Sequence, residues 1–183
     1  RERRVMERIW AKDPTVWGPS PVEVADRLGW LDSPWEMASR IPEMETVVRE
    51  VRAAGMTSAL LLGMGGSSLA PEVFRKTFGV APGFLDLAIL DSTDPGAVLE
   101  RRRSLDPATT LYIVSTKSGG TVETLSLLKY FYSVVVHALG PGEAGRHFIA
   151  VTDPGSGLAD LARSLGFRHV FYNDPHIGGR YSA

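Results

Sequence analysis

Five short apolar runs set what this chain can fold into: Ala59–Leu62, Leu87–Leu90, Leu111–Ser115, Phe148–Val151 and His169–Tyr172. None shows the strict apolar–polar alternation of a strand with one face in water. Runs of this kind are strands buried on both faces, which means a parallel sheet with helices above and below. The segments between them supply the helices. After the first strand comes Gly63-Met64-Gly65-Gly66-Ser67-Ser68, then a helix to about Phe78. The second strand ends in Asp91-Ser92-Thr93-Asp94-Pro95, with Asp94 as N-cap and Pro95 at the first helical position. The third leads through Thr116–Thr124 into a helix over Leu125–Ala138. The fourth leads through Thr152-Asp153-Pro154-Gly155-Ser156 into a helix to about Leu165, and the fifth into Asn173 to Arg180. Every glycine- and hydroxyl-rich loop therefore lies on the carboxyl edge of the sheet, where open α/β sheets bind ligands.

The first 55 residues follow another pattern. Val5, Met6, Ile9 and Trp10 repeat at helical spacing, and Pro14, Pro19 and Pro21 interrupt the segment. Ser20 as N-cap and Pro21 behind it predict a short helix over Pro21–Leu28. A second helix is predicted from Pro34 to Ala54, stopped by Gly55. Residues 1–55 thus read as a helical arm or linker and residues 56–183 as a ligand-binding domain. All four tryptophans (Trp10, Trp17, Trp30 and Trp35) lie in the arm. Large aromatic rings are packing anchors, so they are expected to pin the arm to the domain. The other reading is a surface for a further domain or subunit.

A chain of 183 residues can bury roughly two-thirds of its unfolded surface, so a core is available. The net charge of -1 gives no electrostatic case for nucleic acid or an anionic membrane. The absence of cysteine excludes disulfides, thiol catalysis and zinc–cysteine sites. No apolar run approaches the roughly 18 residues of a transmembrane helix. Arg1-Glu2-Arg3-Arg4 has no apolar stretch behind it, so no signal peptide is read and a cytoplasmic location is expected. The chain starts without Met and stops after Arg180-Tyr181-Ser182-Ala183, and is expected to be part of a longer protein.

The loop Thr116-Lys117-Ser118-Gly119-Gly120-Thr121-Val122-Glu123-Thr124 reads as a phosphate cradle. Backbone N–H groups at the start of a helix carry partial positive charge, and a phosphate neutralises them. Hydroxyls add donors, and Gly119-Gly120 let the backbone come close. The Gly63–Ser68 loop partly matches a dinucleotide fingerprint, with Asp91 where a ribose-binding acid would sit. Ser68 replaces the last glycine of that fingerprint. A dinucleotide fold also has no need of a second, hydroxyl-rich loop after the third strand. A sugar phosphate fits both loops, its phosphate on Ser118 and Thr121 and its sugar end near Gly66-Ser67.

Three motifs carry a resemblance: Gly63-Met64-Gly65-Gly66-Ser67-Ser68-Leu69, Lys117-Ser118-Gly119-Gly120-Thr121-Val122-Glu123-Thr124 and Gly178-Gly179-Arg180-Tyr181-Ser182. In order and spacing they resemble the glucose-6-phosphate isomerase family, over about residues 55–183. The stretch is similar to the first of that family's two sugar-isomerase (SIS) domains. The resemblance implies a flavodoxin-like α/β fold, a five-stranded parallel sheet with helices on both faces, preceded by the helical arm. Many members have Lys-Thr-Phe-Thr-Thr where this chain has Lys117-Ser118-Gly119-Gly120-Thr121. The Gly-Gly version, and Arg27-Leu28-Gly29-Trp30-Leu31 in the arm, look like the isomerase half of bifunctional transaldolase/glucose-6-phosphate isomerases.

The family interconverts glucose 6-phosphate and fructose 6-phosphate, a step of glycolysis and gluconeogenesis, through a cis-enediolate. Carried over by position, the resemblance assigns Gly66 and Ser67 to the substrate. Thr116, Lys117, Ser118 and Thr121 would bind the phosphate through hydroxyls and backbone amides. Gly179 and Arg180 would lie against the sugar carbon that loses its proton, with Arg180 stabilising the enediolate. No metal or cofactor is implied. The base glutamate falls beyond residue 183, and the family also takes a histidine from the partner subunit. The expected partners are a hexose 6-phosphate, a second SIS domain, further copies of the full-length chain and, in a bifunctional fusion, a transaldolase domain. Two alternatives stay open: a phosphosugar-sensing SIS module of a regulator, and a nucleotide-binding α/β domain.

Other chemistry-bearing residues have simpler readings. Glu123 falls in the first turn of a helix, where an acid complements the dipole. Asp91 and Asp94 are turn and cap residues. His137, His147, His169 and His176 show no metal-ligand spacing, and only His176 stands near Gly179-Arg180. Ser67-Ser68 lacks the G-x-S-x-G frame of a nucleophile elbow.

Overall fold

Each apolar run becomes a parallel strand in the computed structural model, which describes residues 4–177; the first, third and fourth are buried, whereas the second and fifth, at the sheet edges, are only partly covered. The strands are β1 (Ser58–Gly63), β2 (Asp86–Leu90), β3 (Thr110–Ser115), β4 (Phe148–Thr152) and β5 (His169–Tyr172). They form one sheet in the order β2-β1-β3-β4-β5, all pairs parallel. This is the flavodoxin-like order expected. The helices are α1 (Val5–Trp10), α2 (Ser33–Ala53), α3 (Gly66–Phe78), α4 (Pro95–Ser104), α5 (Val122–Leu139), the short α6 (Pro141–Ala144) and α7 (Gly157–Ser164). Gly179 and Arg180, with the rest of the Gly-Gly-Arg-Tyr-Ser motif, lie outside the described residues.

The period of two in each strand divides the sheet between two cores. Leu60, Leu62, Tyr112, Val114, Phe148 and Ala150 face α5 and α7, which contribute Leu127, Leu128, Phe131, Val135, Leu158 and Ala162. Tyr112 is the centre of this layer, its ring stacked on Phe148 at 4.9 Å and tilted against Phe131 at 5.4 Å. Ala59, Leu111 and Ile149 point the other way and meet Val47 and Val51, one turn apart on α2. The second half of the arm thus covers a face of the sheet.

Two expectations for the arm need correction. The helix over Pro21–Leu28 does not form; turns lead into a single 3-10 turn, Ala25–Arg27. Glu23 takes a φ of 56°, which no α-helix accommodates, and the Ser20 hydroxyl accepts the Val22 N–H at 3.3 Å within a local turn. The bend carries Leu28 and Leu31 to buried positions, so tertiary contact overrides local propensity. Nor do the indoles pin the arm by burial: Trp10, Trp17, Trp30 and Trp35 are each at least 39% exposed. Leu28 does the anchoring instead, in an antiparallel bridge with Ile177, beside a Gly29 N–H that donates to the His176 carbonyl at 3.1 Å.

Candidate functional site

The chain leaves β1 toward β2 on one side and returns to β3 on the other, so the loops after β1 and β3 diverge from neighbouring strand ends. Such a switch point opens a crevice at the carboxyl edge. Gly63 at the end of β1 pairs with Ser115 at the end of β3. The approach is close: a Cβ on Gly63 would lie 3.1 Å from the Ser115 carbonyl oxygen and 3.2 Å from Ser67 Cβ. Between the two loops lies a cleft of about 310 Å³. Gly66, Ser67, Thr116, Lys117, Ser118 and Thr121, six residues anticipated from sequence, all line it. Met64, Ser115 and Thr124 complete its walls.

The start of α5 is built to leave donors open. Thr121 is its N-cap, extended at φ −64° and ψ 115°, yet its side chain makes no capping bond. Its hydroxyl is engaged with that of Thr116 at 2.9 Å. Among the described residues the first-turn N–H groups are thus left without a side-chain acceptor, beside a cleft that Thr121 and Thr124 both line. Gly119 shapes the loop. Its φ is 70°, and a Cβ there would lie 2.7 Å from the Leu158 nitrogen and 2.8 Å from Ser156 Cβ. The cradle therefore sits directly on the start of α7. Ser118 accepts the Gly120 N–H at 3.3 Å, and the Thr116 N–H is spent on the Val151 carbonyl at 3.1 Å. Thr116 can offer a ligand its hydroxyl, not its amide.

Lys117 ties three loops together. Its ammonium group is ion-paired with Asp153, after β4, and donates to the Pro175 carbonyl, after β5, at 3.0 Å. Its own carbonyl accepts the Asp153 N–H at 3.1 Å and the Thr152 hydroxyl at 3.3 Å. Both charged side chains are largely covered, at 23% and 17% exposed. Asp153 was not anticipated as part of this region. The signal was present, as an acid at the end of the strand next to β3, but nothing in the sequence paired it with Lys117.

Apart from Ser67, the residues given simpler readings do not line the cleft. Asp94 caps α4, accepting the Ala97 N–H at 2.9 Å. Glu123 is exposed in the first turn of α5. The Ser68 hydroxyl lies 3.0 Å from the Gly65 carbonyl and 3.4 Å from Asp91 Oδ2, so it is structurally engaged. His147 Nδ1 is 3.2 Å from the Thr110 carbonyl, and His169 Nε2 is 2.8 Å from Glu43 Oε1. The His176 N–H binds Asp174 Oδ1 at 2.8 Å, and His137 is exposed on α5. Among the described residues no three His, Cys, Asp or Glu side chains cluster to hold a metal ion. No helix among them is long and apolar enough to cross a membrane.

Comparison with known proteins gives this cleft a family. The family model described as phosphoglucose isomerase matches residues 37–183, which takes in the sheet and the cleft. The chain belongs to the phosphoglucose isomerase family. Among its relatives, the glucose-6-phosphate isomerase of Thermus thermophilus is 33% identical over 167 residues, covering 88% of this chain and 37% of that one. A solved structure of a hypothetical protein from Thermus thermophilus superposes with a TM-score of 0.74 at 31% identity, over 98% of this chain and 40% of that one. The glucose-6-phosphate isomerase of Chlamydia trachomatis does so with a TM-score of 0.67 at 27% identity, over 97% of this chain and 31% of that one. The chain spans well under half the length of these relatives.

Proposed function

We propose that this chain is the phosphosugar-binding part of an aldose–ketose isomerase acting on glucose 6-phosphate and fructose 6-phosphate. One observation carries the reading: the start of α5, without a side-chain cap, stands at a hydroxyl-lined cleft in a chain of the isomerase family. The phosphate lies on the first-turn amides of α5 and on the hydroxyls of Ser118, Thr121 and Thr116. The sugar runs toward Gly66 and Ser67 on the opposite lip. A cleft of about 310 Å³ is at the small end of ligand sites, which suits one hexose phosphate rather than a dinucleotide. Asp91, the ribose-binding acid of the dinucleotide reading, is exposed and takes no part in lining the cleft.

In this mechanism a glutamate base takes the proton from C2 and returns it to C1 of the enediolate. The resemblance gives Arg180 the stabilisation of the developing negative charge, a role for a group that stays charged and presents fixed donors. The resemblance assigns Gly179 to the same part of the substrate. The base belongs to a region of the family outside residues 1–183, so the chain by itself binds the phosphosugar and does not turn it over. The working enzyme adds a second SIS domain, assembles as a homo-oligomer in the cytoplasm, and in this subfamily is joined to a transaldolase domain.

Calorimetric titration with 6-phosphogluconate and with NAD(H), alongside a coupled isomerase assay, tests the reading. Binding of the phosphosugar without turnover is expected. Preferential binding of the dinucleotide removes the sugar-phosphate assignment. Turnover by residues 1–183 alone means that a base is present in this chain.

A further inference from the structure

Thr124 stands apart among the hydroxyls of the cleft. It is 0% exposed, it lines the cleft, and its Oγ1 has no hydrogen-bond partner among the described residues. Other hydroxyls of the cleft are occupied: Thr116 and Thr121 bind each other at 2.9 Å, and Ser118 accepts the Gly120 N–H at 3.3 Å. A hydroxyl inside a helix ordinarily returns to the carbonyl of the preceding turn. Ser126 does so two residues later on the same helix, donating to the Val122 carbonyl at 2.8 Å. Thr46 does the same on α2, to the Pro42 carbonyl at 2.9 Å. Thr124 leaves this option unused. A buried polar group with no partner is destabilising, and native proteins keep few of them.

Its position says what the hydroxyl is kept for. Thr124 is the third residue of α5 and lies one turn after the N-cap Thr121, so both side chains share the face of the helix that meets the cleft. The open first-turn amides are at the same place. We propose that the Thr124 hydroxyl is a buried donor to the phosphate at the start of α5, unpaired in the free protein and satisfied when the anion arrives. This rests on the phosphosugar reading above. It adds a buried binding residue to the cleft wall, one turn after Thr121. The phosphate then meets hydroxyls from two elements, the loop after β3 and the first turn of α5.

Thr124→Val removes the hydroxyl with little change in shape. Since no described residue bonds to it, the ligand-free Tm of the 183-residue chain is expected to hold or rise. Affinity for both inorganic phosphate and 6-phosphogluconate is expected to fall by about tenfold or more, the scale of a hydrogen bond to a charged group. Thr124→Ser, which keeps the hydroxyl, restores both. Unchanged affinity in a folded Thr124→Val protein overturns the proposal. So does a loss confined to 6-phosphogluconate, which would place the hydroxyl on the sugar. A lower ligand-free Tm, or failure to fold, overturns it as well by showing that the hydroxyl is structural. The phosphosugar reading fails separately, if the wild-type chain binds inorganic phosphate but gains nothing from the hexose.

Discussion

Lys117 of the loop after β3 holds the carboxylate of Asp153 at the end of the neighbouring strand, and its ammonium group also reaches the Pro175 carbonyl at 3.0 Å. A lysine in such a loop would ordinarily be taken as the counter-ion of the phosphate. Here its charge is already opposed by an acid on the adjoining loop. Lys117→Ala therefore does two things: it removes a cation and leaves a mostly covered carboxylate unpaired beside the cleft. Phosphosugar binding is expected to weaken by about 1–3 kcal/mol, the range for loss of a charge-assisted hydrogen bond. Because the carboxylate carries part of that loss, Lys117→Met with Asp153→Asn should bind more tightly than Lys117→Met alone. Titration calorimetry on the two variants decides it. A double variant no better than the single one would assign Lys117 directly to the phosphate.

Gly119 is the position where the cradle touches the start of α7. Its φ of 70° favours glycine, and a Cβ would come within 2.7 Å of the Leu158 nitrogen. Gly119→Ala adds strain and a clash with backbone at once. A loss of about 1–3 kcal/mol in folding stability is expected, read as a lower midpoint in chemical denaturation. Phosphosugar affinity should fall with it, since the loop can relieve the clash only by lifting off α7. Gly120 is the contrast. Its Cβ would meet no atom nearer than Ser118 Oγ at 3.9 Å. Gly120→Ala is expected to fold almost as well as the wild type.

Alkaline stability follows from Tyr112. Burial between Phe148 and Phe131 pushes its phenol up from the ordinary 10.0 to about 12. The neutral form is thus the one the fold favours. Its contribution is fully present below the unfolded value near 10 and is lost as pH rises from there through about 12. Denaturation midpoints should fall across this window, and Tyr112→Phe should flatten the slope. Tyrosinate absorbance gives the second check, with one tyrosine ionising late and together with unfolding. An equal slope in Tyr112→Phe would assign the alkaline loss to other groups.

The sheet was legible in the sequence because its three central strands carry two buried faces. A run such as Ala59–Leu62 needs no alternation to be recognised, since Leu60 and Leu62 enter one core while Ala59 enters the other. Strand starts were harder. Asp86 and Thr110 are polar, and both are strand residues because a parallel neighbour pairs with them, Ser58 in each case. The Asp94 cap was legible because it is local, a side chain and an amide three residues apart. The arm was not, because Leu28 is placed by Ile177, far along the chain. The cleft divides in the same way. Its hydroxyl-rich loops announce themselves, whereas Asp153 acquires its role only when β4 is laid beside β3, and Thr124 only when α5 is turned so that its third residue faces inward.

The hydroxyl pair Thr116–Thr121 separates the loop donors from one another. At 2.9 Å the two oxygens share one bond, and Thr116 has already given its amide to the sheet. Thr121 can therefore donate to a phosphate while accepting from Thr116, or the reverse, but the two hydroxyls act as a couple. Thr121→Ala removes one donor and leaves the 3% exposed Thr116 without its side-chain partner. Binding of 6-phosphogluconate should weaken by about 1–3 kcal/mol. Thr121→Ser keeps the hydroxyl and should remain close to wild type, and Thr116→Ala with Thr121→Ala should cost less than the sum of the two single changes. Titration of all four variants tests the couple. Additive losses would mean that each hydroxyl reaches the phosphate independently, and an unaltered affinity in Thr121→Ala would take this residue out of the site.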